Sequence, residues 1–185
     1  MDESRERSQK GLDIRELVET LILTLVTYFL IRTFVFETYR VVGQSMMPTL
    51  EEDQRLIVSK LSYRLHEPQR GDIIVFYDPF DGDRNLIKRI IGLPGELLEI
   101  KQGQVYIDGQ PLAEPYIPHA GSYSHPSTII PEGQYFVMGD NRTNSSDSRS
   151  WGTLDSAEVV GKAAFTYWPL KLWGPAPHQE YSDQP

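Results

Sequence analysis

Residues 20–36 read TLILTLVTYFLIRTFVF, with Arg32 the only charge among them. The apolar core of this run, 21–31, is short for a bilayer span. A helix extended over 14–36 has 23 residues, roughly 35 Å at about 1.5 Å each, enough for a hydrocarbon core of about 30 Å. Apolar positions run all round such a helix, so it suits a membrane better than one flank of a protein core. Asp13-Ile14-Arg15-Glu16 has capping-box spacing, with Asp at the first position. Glu19 and Arg32 fall toward the two ends, where long side chains reach the interface. The exit, Phe36-Glu37-Thr38-Tyr39-Arg40, offers no small-x-small cleavage site, so an uncleaved anchor is expected rather than a removable leader. Arg5, Arg7, Lys10 and Arg15 precede the span, and Arg40 and Arg55 follow it closely. The positive-inside rule then places the N-terminus in the cytoplasm and residues 37–185 across the membrane.

The averages of the chain conceal this segment. Its 185 residues carry 18 Lys+Arg and 26 Asp+Glu, a formal net charge of −8. Five basic and six acidic residues precede residue 37, so −7 of that charge lies beyond the span. An acidic domain of this kind lacks the basic face of a nucleic-acid binder. The absence of cysteine excludes disulfides, thiolate zinc sites, Fe–S clusters and Cys nucleophiles.

Beyond the span, short apolar or alternating runs occur at 55–60, 73–77, 85–91, 97–100, 105–107, 135–138 and 158–168. Turn signals separate them, including Arg70-Gly71-Asp72, Asp81-Gly82-Asp83, Pro94-Gly95, Gln102-Gly103 and Asp108-Gly109. Closely spaced strands without a long helical pattern predict a mainly β, antiparallel domain. Residues 111–133, rich in Pro, His, Ser and Gly, read as a long loop. The expected layout is a leader over 1–13, a transmembrane helix over 14–36, a β domain over 37–174, and a loose polar tail over 175–185.

Without cysteine, chemistry falls to oxygen and nitrogen groups. His66, His119, His125 and His178 form no tight metal pattern, and none sits in a segment that looks constrained. Counting alone leaves a Ser-His-Asp triad open. Three segments do look constrained. In Gly43-Gln44-Ser45-Met46-Met47-Pro48, glycine permits a sharp turn and Pro48 fixes φ, presenting Ser45 between them. In Leu86-Ile87-Lys88-Arg89-Ile90-Ile91-Gly92, period two puts Lys88 between Leu86 and Ile90 on one sheet face. In Gly139-Asp140-Asn141-Arg142 through Arg149, dense short polar side chains suit a hydrogen-bonded loop. Ser45 and Lys88 together suggest a Ser/Lys dyad, since serine needs a base. Bringing a lysine from about 10.4 to near neutrality requires roughly 4 kcal/mol against the ammonium form, which an aliphatic pocket without a carboxylate supplies.

These segments, in this order behind one span, resemble type I signal peptidases. Ser45-Met46-Met47-Pro48-Thr49 looks like the nucleophile box. Arg70-Gly71-Asp72-Ile73-Ile74-Val75-Phe76 looks like the next strand box, 87–95 like the general-base box, and Gly139-Asp140-Asn141-Arg142 through Arg149 like the last. The resemblance implies the antiparallel β catalytic domain of that family, with a reduced secondary subdomain at about 95–138. It implies a membrane-bound serine endopeptidase that cleaves signal peptides from exported preproteins after a small-x-small (Ala-x-Ala) motif. Ser45 would be nucleophile and Lys88 general base, with Ser145 orienting the lysine amine. Arg89 would pair with Asp140, and Asp147 with Arg149, to stiffen the site. Val41, Met46 and Ile87 are the expected pocket walls, by box position and strand proximity. The implied partners are signal peptides and the lipid bilayer of a plasma or thylakoid membrane, with no nucleic acid, metal, nucleotide or other cofactor. Where the enterobacterial motif has a serine that helps the oxyanion hole, this chain has Gly43, so the second oxyanion donor is left open.

Two rival readings stand beside this one. A related Ser/Lys fold serves self-cleaving repressors, but the short leader here has no room for a helix-turn-helix domain. A membrane-anchored β domain that binds a partner without catalysis is the other. Only nine peptide steps separate Phe36 from Ser45, roughly 30 Å when fully extended, which keeps Ser45 near the membrane.

Overall fold

The computed structural model describes residues 13–181. It forms two units, a helical segment through Val35 and a β domain from Phe36 onward. Helix α1 spans Ile14–Phe34. The Asp13 carboxylate caps it by accepting the Arg15 N–H at 3.2 Å. Its most apolar 18-residue window has a mean hydropathy of 1.7. The Thr20 and Thr24 hydroxyls donate back to the Glu16 and Thr20 carbonyls at 2.8 and 2.7 Å, leaving few polar atoms without partners on an apolar helix. At 21 residues it is roughly 31 Å long at about 1.5 Å per residue. It stops two residues short of the expected end because Phe36 already belongs to a strand. The expected leader lies outside the described residues, apart from Asp13.

The β domain begins with β1 (Phe36–Arg40) and β2 (Arg55–Ser59), then a short helix, α2 (Ser62–Leu65). Strands β3 (Ile73–Asp78), β4 (Asp81–Gly92), β5 (Leu97–Lys101), β6 (Gln104–Ile107), β7 (Gln110–Pro111), β8 (His125–Ile129) and β9 (Gln134–Met138) follow. Helix α3 (Ser148–Trp151), β10 (Leu154–Asp155), β11 (Val159–Trp168) and β12 (Gly174–Pro175) complete it. The larger sheet runs β1-β2-β11-β3-β4-β9-β10, with β12 also on β11, and the smaller runs β7-β6-β5-β8. Every pairing is antiparallel.

The unbroken apolar run of β3 marks a strand covered on both faces. Ile73 packs with Val41, Met46, Leu50, Leu56, Ala163 and Ala176 on one side. Ile74 and Phe76 pack with Ile90, Tyr135, Val137 and Leu154 on the other. A register shift between Ile90 and Gly92 diverts the end of β4. Ile91 thereby joins Phe136, Met138 and the small-sheet residues Leu98, Ile100, Val105 and Ile107 in a third cluster. A Cβ on Gly92 would displace the tip of the Ile130 side chain, which packs directly on the backbone there.

Three expectations change. Asp81-Gly82-Asp83 is not a turn but the start of β4; the reversal lies at Pro79 and Phe80, where the Asp78 carboxylate accepts the Phe80 N–H at 3.0 Å. The long loop contains β8, whose His125 ring packs 5.3 Å from the Phe136 ring. Residues 175–181 are not loose. Ala176 is buried, and the segment hydrogen-bonds to the sheet as a strap; residues 182–185 lie outside the described region. The strap docks because its carbonyls and His178 meet unpaired backbone and arginine donors, which composition alone does not reveal.

Because Phe76 is fully buried, Phe76→Ala is expected to cost about 3–5 kcal/mol in denaturant unfolding of the detergent-solubilised protein. Tyr77→Ala, on the exposed side of the same strand, is expected to change little.

Candidate active site

The loop between β1 and β2 is pinned at its neck, where the Val41 N–H donates to the Gln54 carbonyl at 2.8 Å and the Asp53 N–H to the Val41 carbonyl at 3.0 Å. Gly43 turns the chain at φ +85° with open space around it, so backbone conformation rather than crowding demands glycine there. Met46 and Leu50 then drop into the core. Ser45 stands above them. Its carbonyl accepts the Asn141 N–H at 2.9 Å, and the Asn141 side-chain amide donates to the Gln44 carbonyl at 3.1 Å. Among the described residues the Ser45 N–H makes no hydrogen bond, leaving a donor beside the hydroxyl.

Lys88 comes from β4, opposite Ile74, with Leu86 and Ile90 as its neighbours on the same face. It is only 3% exposed. Its Nζ donates to Ser45 Oγ at 2.8 Å and to its neighbour's carbonyl, Ile87 O, at 3.0 Å. No carboxylate lies within ion-pair distance among the described residues. Burial lowers its pKa to about 8, against the attraction of the Asp147 and Asp140 charges. At pH 7 about a tenth of such lysines carry a free amine, roughly 300 times the fraction for a lysine at the ordinary value of 10.5.

Ser45 and Lys88 open onto a cleft of about 520 Å³, walled by Tyr39, Val41, Val42, Leu56, Val75 and Ile87. Two strand edges border it. Among the described residues, β1 has no partner on its outer side, and β4 is paired with β9 only from Arg89 onward, so 81–88 have a free edge.

With a serine, a desolvated amine and an apolar cleft in place, the comparisons with known proteins bear directly on the site. The signal peptidase (peptidase S26) family model matches residues 14–168. The chain belongs to the signal peptidase family. It is 46% identical over 168 residues to a probable signal peptidase I-1 of Synechocystis, covering 87% of this chain and 86% of that protein. It is 41% identical over 169 residues to signal peptidase I of Leptolyngbya laminosa, covering 87% and 83%. It is 37% identical over 184 residues to signal peptidase I of Bacillus licheniformis, covering 92% and 96%. As a member of this family the chain is a serine endopeptidase, and it has a mainly antiparallel β architecture with one N-terminal apolar helix.

In this signal peptidase the loop over 139–149 is held by arginines. Arg89 and Asp140 form a bidentate pair at 2.9 and 2.7 Å, both fully buried. The remaining Arg89 donors reach the Gly71 carbonyl at 2.8 Å and the Pro177 carbonyl at 3.3 Å, and its guanidinium lies 4.1 Å from the Tyr116 ring centre. Asp147 pairs twice with Arg149 at 2.7 Å and also accepts the Gly139 N–H at 3.0 Å. A buried Arg142–Glu114 pair, which the sequence reading missed, ties the same loop to the small-sheet segment. Its only signal in the sequence was an acidic residue within an otherwise loop-like stretch.

Two expected side chains behave differently. Met46 does not wall the cleft; it is buried beneath it with Val41, Leu50 and Leu56, because the turn after Ser45 points it inward. Ser145 does not hold the lysine amine. Its Oγ is buried without a hydrogen-bond partner among the described residues, while Ile87 O and Ser45 Oγ take that place. Ser145 still belongs to the site, since a side chain on Gly139 would overlap both Ser145 Oγ and the Ser45 carbonyl.

Removing one half of the buried pair leaves a bare charge, so Asp140→Ala is expected to lower unfolding free energy by about 3–5 kcal/mol. Arg40→Ala, whose pair with Asp53 is exposed, is expected to leave the unfolding midpoint nearly unchanged.

Proposed function

We propose that this signal peptidase is a single-pass membrane endopeptidase that cuts preproteins after a small-x-small motif, using Ser45 as nucleophile and Lys88 as general base. The observation that carries this reading is the 2.8 Å contact between a buried, carboxylate-free lysine amine and the serine hydroxyl. Helix α1 anchors the chain with its N-terminus in the cytoplasm, and the β domain acts on the far side of a plasma or thylakoid membrane. Trp168, Leu170 and Trp173, each about half or more exposed, meet the lipid surface.

The signal peptide enters extended and adds a strand against the free edges of β1 and β4. Alternate side chains then face the apolar wall of Val41 and Ile87, which suits small residues. Neutral Lys88 takes the proton as Ser45 Oγ attacks the substrate carbonyl carbon. The developing oxyanion is met by the free Ser45 N–H. Lys88 returns the proton to the departing amine as the peptide bond breaks, leaving an ester on Ser45. Water then attacks the ester, Lys88 accepting its proton, and the serine is regenerated. While protonated, Lys88 has three donors. Ile87 O and Ser45 Oγ accept from two of them.

The test is incubation of the detergent-solubilised protein with a purified preprotein. Ser45→Ala is expected to abolish processing while leaving folding and membrane insertion intact; processing at the wild-type rate overturns the assignment. A wild-type protein that binds preprotein but never cleaves it indicates the binding scaffold instead. Because the base must be neutral, kcat/KM is expected to rise with pH and level off above about 8. An acid limb at the ordinary lysine value of 10.5 is inconsistent with a desolvated base.

A further inference from the structure

The strap over 174–181 meets the sheet through one imidazole. The ladder between β3 and β11 ends at the Lys162–Ile74 pair. Just beyond it, the His178 ring sits between the strands. The Ile73 N–H donates to His178 Nδ1 at 3.0 Å, and His178 Nε2 lies 2.7 Å from the Ala163 carbonyl. Nδ1 accepts from an N–H, so it carries no proton, and the single ring proton sits on Nε2 facing the carbonyl. The neutral ring thus completes two backbone hydrogen bonds that the diverging strands leave open.

The strap so held supports Ser45 from two directions. Ala176 is buried in the cluster that contains Met46 and Leu50, the residues anchoring the nucleophile loop. The Pro177 carbonyl receives both terminal nitrogens of Arg89, whose partner Asp140 opens the loop that grips the Ser45 carbonyl through Asn141. The Gln179 N–H donates to the Gly71 carbonyl at 3.3 Å, and a Cβ on Gly71 would overlap the Gln179 carbonyl. The close fit marks this segment as part of the domain.

We propose that His178 is a positioning residue: its neutral ring clasps the strap to the sheet, and the strap fixes the supports that hold Ser45 against Lys88. The proposal rests on the Ser45–Lys88 reading for its effect on activity, but the clasp itself does not.

A proton on Nδ1 would replace an acceptor with a donor pointed at the Ile73 N–H, opening the clasp. The charged groups facing the ring are Lys162 of β11, Asp72 before β3 and Arg89 of β4. Asp72 Oδ1 is 3.9 Å from Nδ1, but it is engaged at 2.6 Å by Lys162. His66, Glu67 and Arg70 line the same cavity from the segment before β3, with Glu180 and Tyr181 on the strap itself; Arg70 is paired with Glu96. Burial, then the Lys162 charge, lower the His178 pKa below its usual 6.5, outweighing Asp72 and the Ala163 hydrogen bond. A lowered folded value means the clasp contributes fully above about 6.5 and is lost as pH falls through the folded pKa.

The test uses the full chain in detergent micelles, as wild type, His178→Ala and His178→Gln. The glutamine amide offers an acceptor and a donor at imidazole-like spacing and does not titrate. Hydrogen exchange of the Ile73 amide and of residues 174–181, corrected for intrinsic rate, is read at about pH 8 and at the lowest pH at which the rest of the β domain stays protected. Wild type is expected to be protected at the higher pH and to lose about tenfold or more of that protection at the lower. His178→Gln should stay protected at both values, and His178→Ala at neither. For activity, His178→Ala should lower kcat by about tenfold or more with KM little changed, and His178→Gln should rescue it. In the pH profile, log kcat/KM of wild type should drop about one log unit below the slope-one line as pH falls through the His178 titration, while His178→Gln stays on that line. Wild-type strap protection that ignores pH overturns the clasp without requiring any variant to fold. Unchanged kcat in His178→Ala, with the strap released, overturns the positioning role. The same exchange pattern in a Ser45→Ala background, where no cleavage occurs, separates the clasp from the catalytic assignment. If even wild type fails to cleave, the Ser45–Lys88 reading fails and the positioning role falls with it, while exchange still decides the clasp.

Discussion

An amine must stay buried and unpaired next to a hydroxyl, and much of this domain is organised around that demand. Lys88 sits in a domain whose net charge is negative, yet among the described residues no carboxylate forms an ion pair with it. The two acids whose charges most oppose its deprotonation, Asp147 and Asp140, are each locked onto an arginine. Those arginines neutralise charge that would otherwise hold the lysine protonated, and they tie down the loop from Gly139 to Arg149. Electrostatic tuning and mechanical support are therefore supplied by the same bonds.

The sheet makes such an arrangement rigid. Because β3 is buried on both faces, its neighbour β4 is held in a fixed plane, and Lys88 enters the site from a strand rather than from a mobile loop. Ser45, by contrast, is on a loop. It gains its fixed position from Met46 and Leu50 below, from Asn141 on its carbonyl, and from a neck of two backbone bonds at Val41. Ser45 is thus placed by its surroundings and Lys88 by its own strand.

That difference explains what could be read from the sequence. The face shared by Leu86, Lys88 and Ile90 follows from period two, and it is the face found. The Arg89–Asp140 and Asp147–Arg149 pairs came from resemblance and are present. Met46 was misplaced because adjacency to Ser45 says nothing about which way a turn points the next side chain. Ser145 was matched by motif, but a hydrogen bond depends on rotamer and distance, which a motif does not encode. The strap was missed altogether. Its sequence, PAPHQEY, has the polarity of a solvated tail, and its docking depends on Ile73, Ala163 and Arg89, some 15 to 105 residues away in the chain. β8 escaped for a similar reason, since a strand containing Pro126 has little local β signal and is specified by its partner β5.

The two unpaired strand edges carry a liability. An exposed edge invites any passing extended segment, including one from another copy of the same chain. Here the openings are flanked by charge, with Arg40 and Asp53 beside β1 and Arg84 and Asp78 where β4 begins. A partner recognised through main-chain hydrogen bonds is recognised by shape and extension, whatever most of its side chains are. In the proposed binding mode, discrimination falls on the few positions that turn toward the apolar wall. Such a surface tolerates wide variety in what it receives and is strict at one or two places, much as a keyhole accepts many key handles but few key tips.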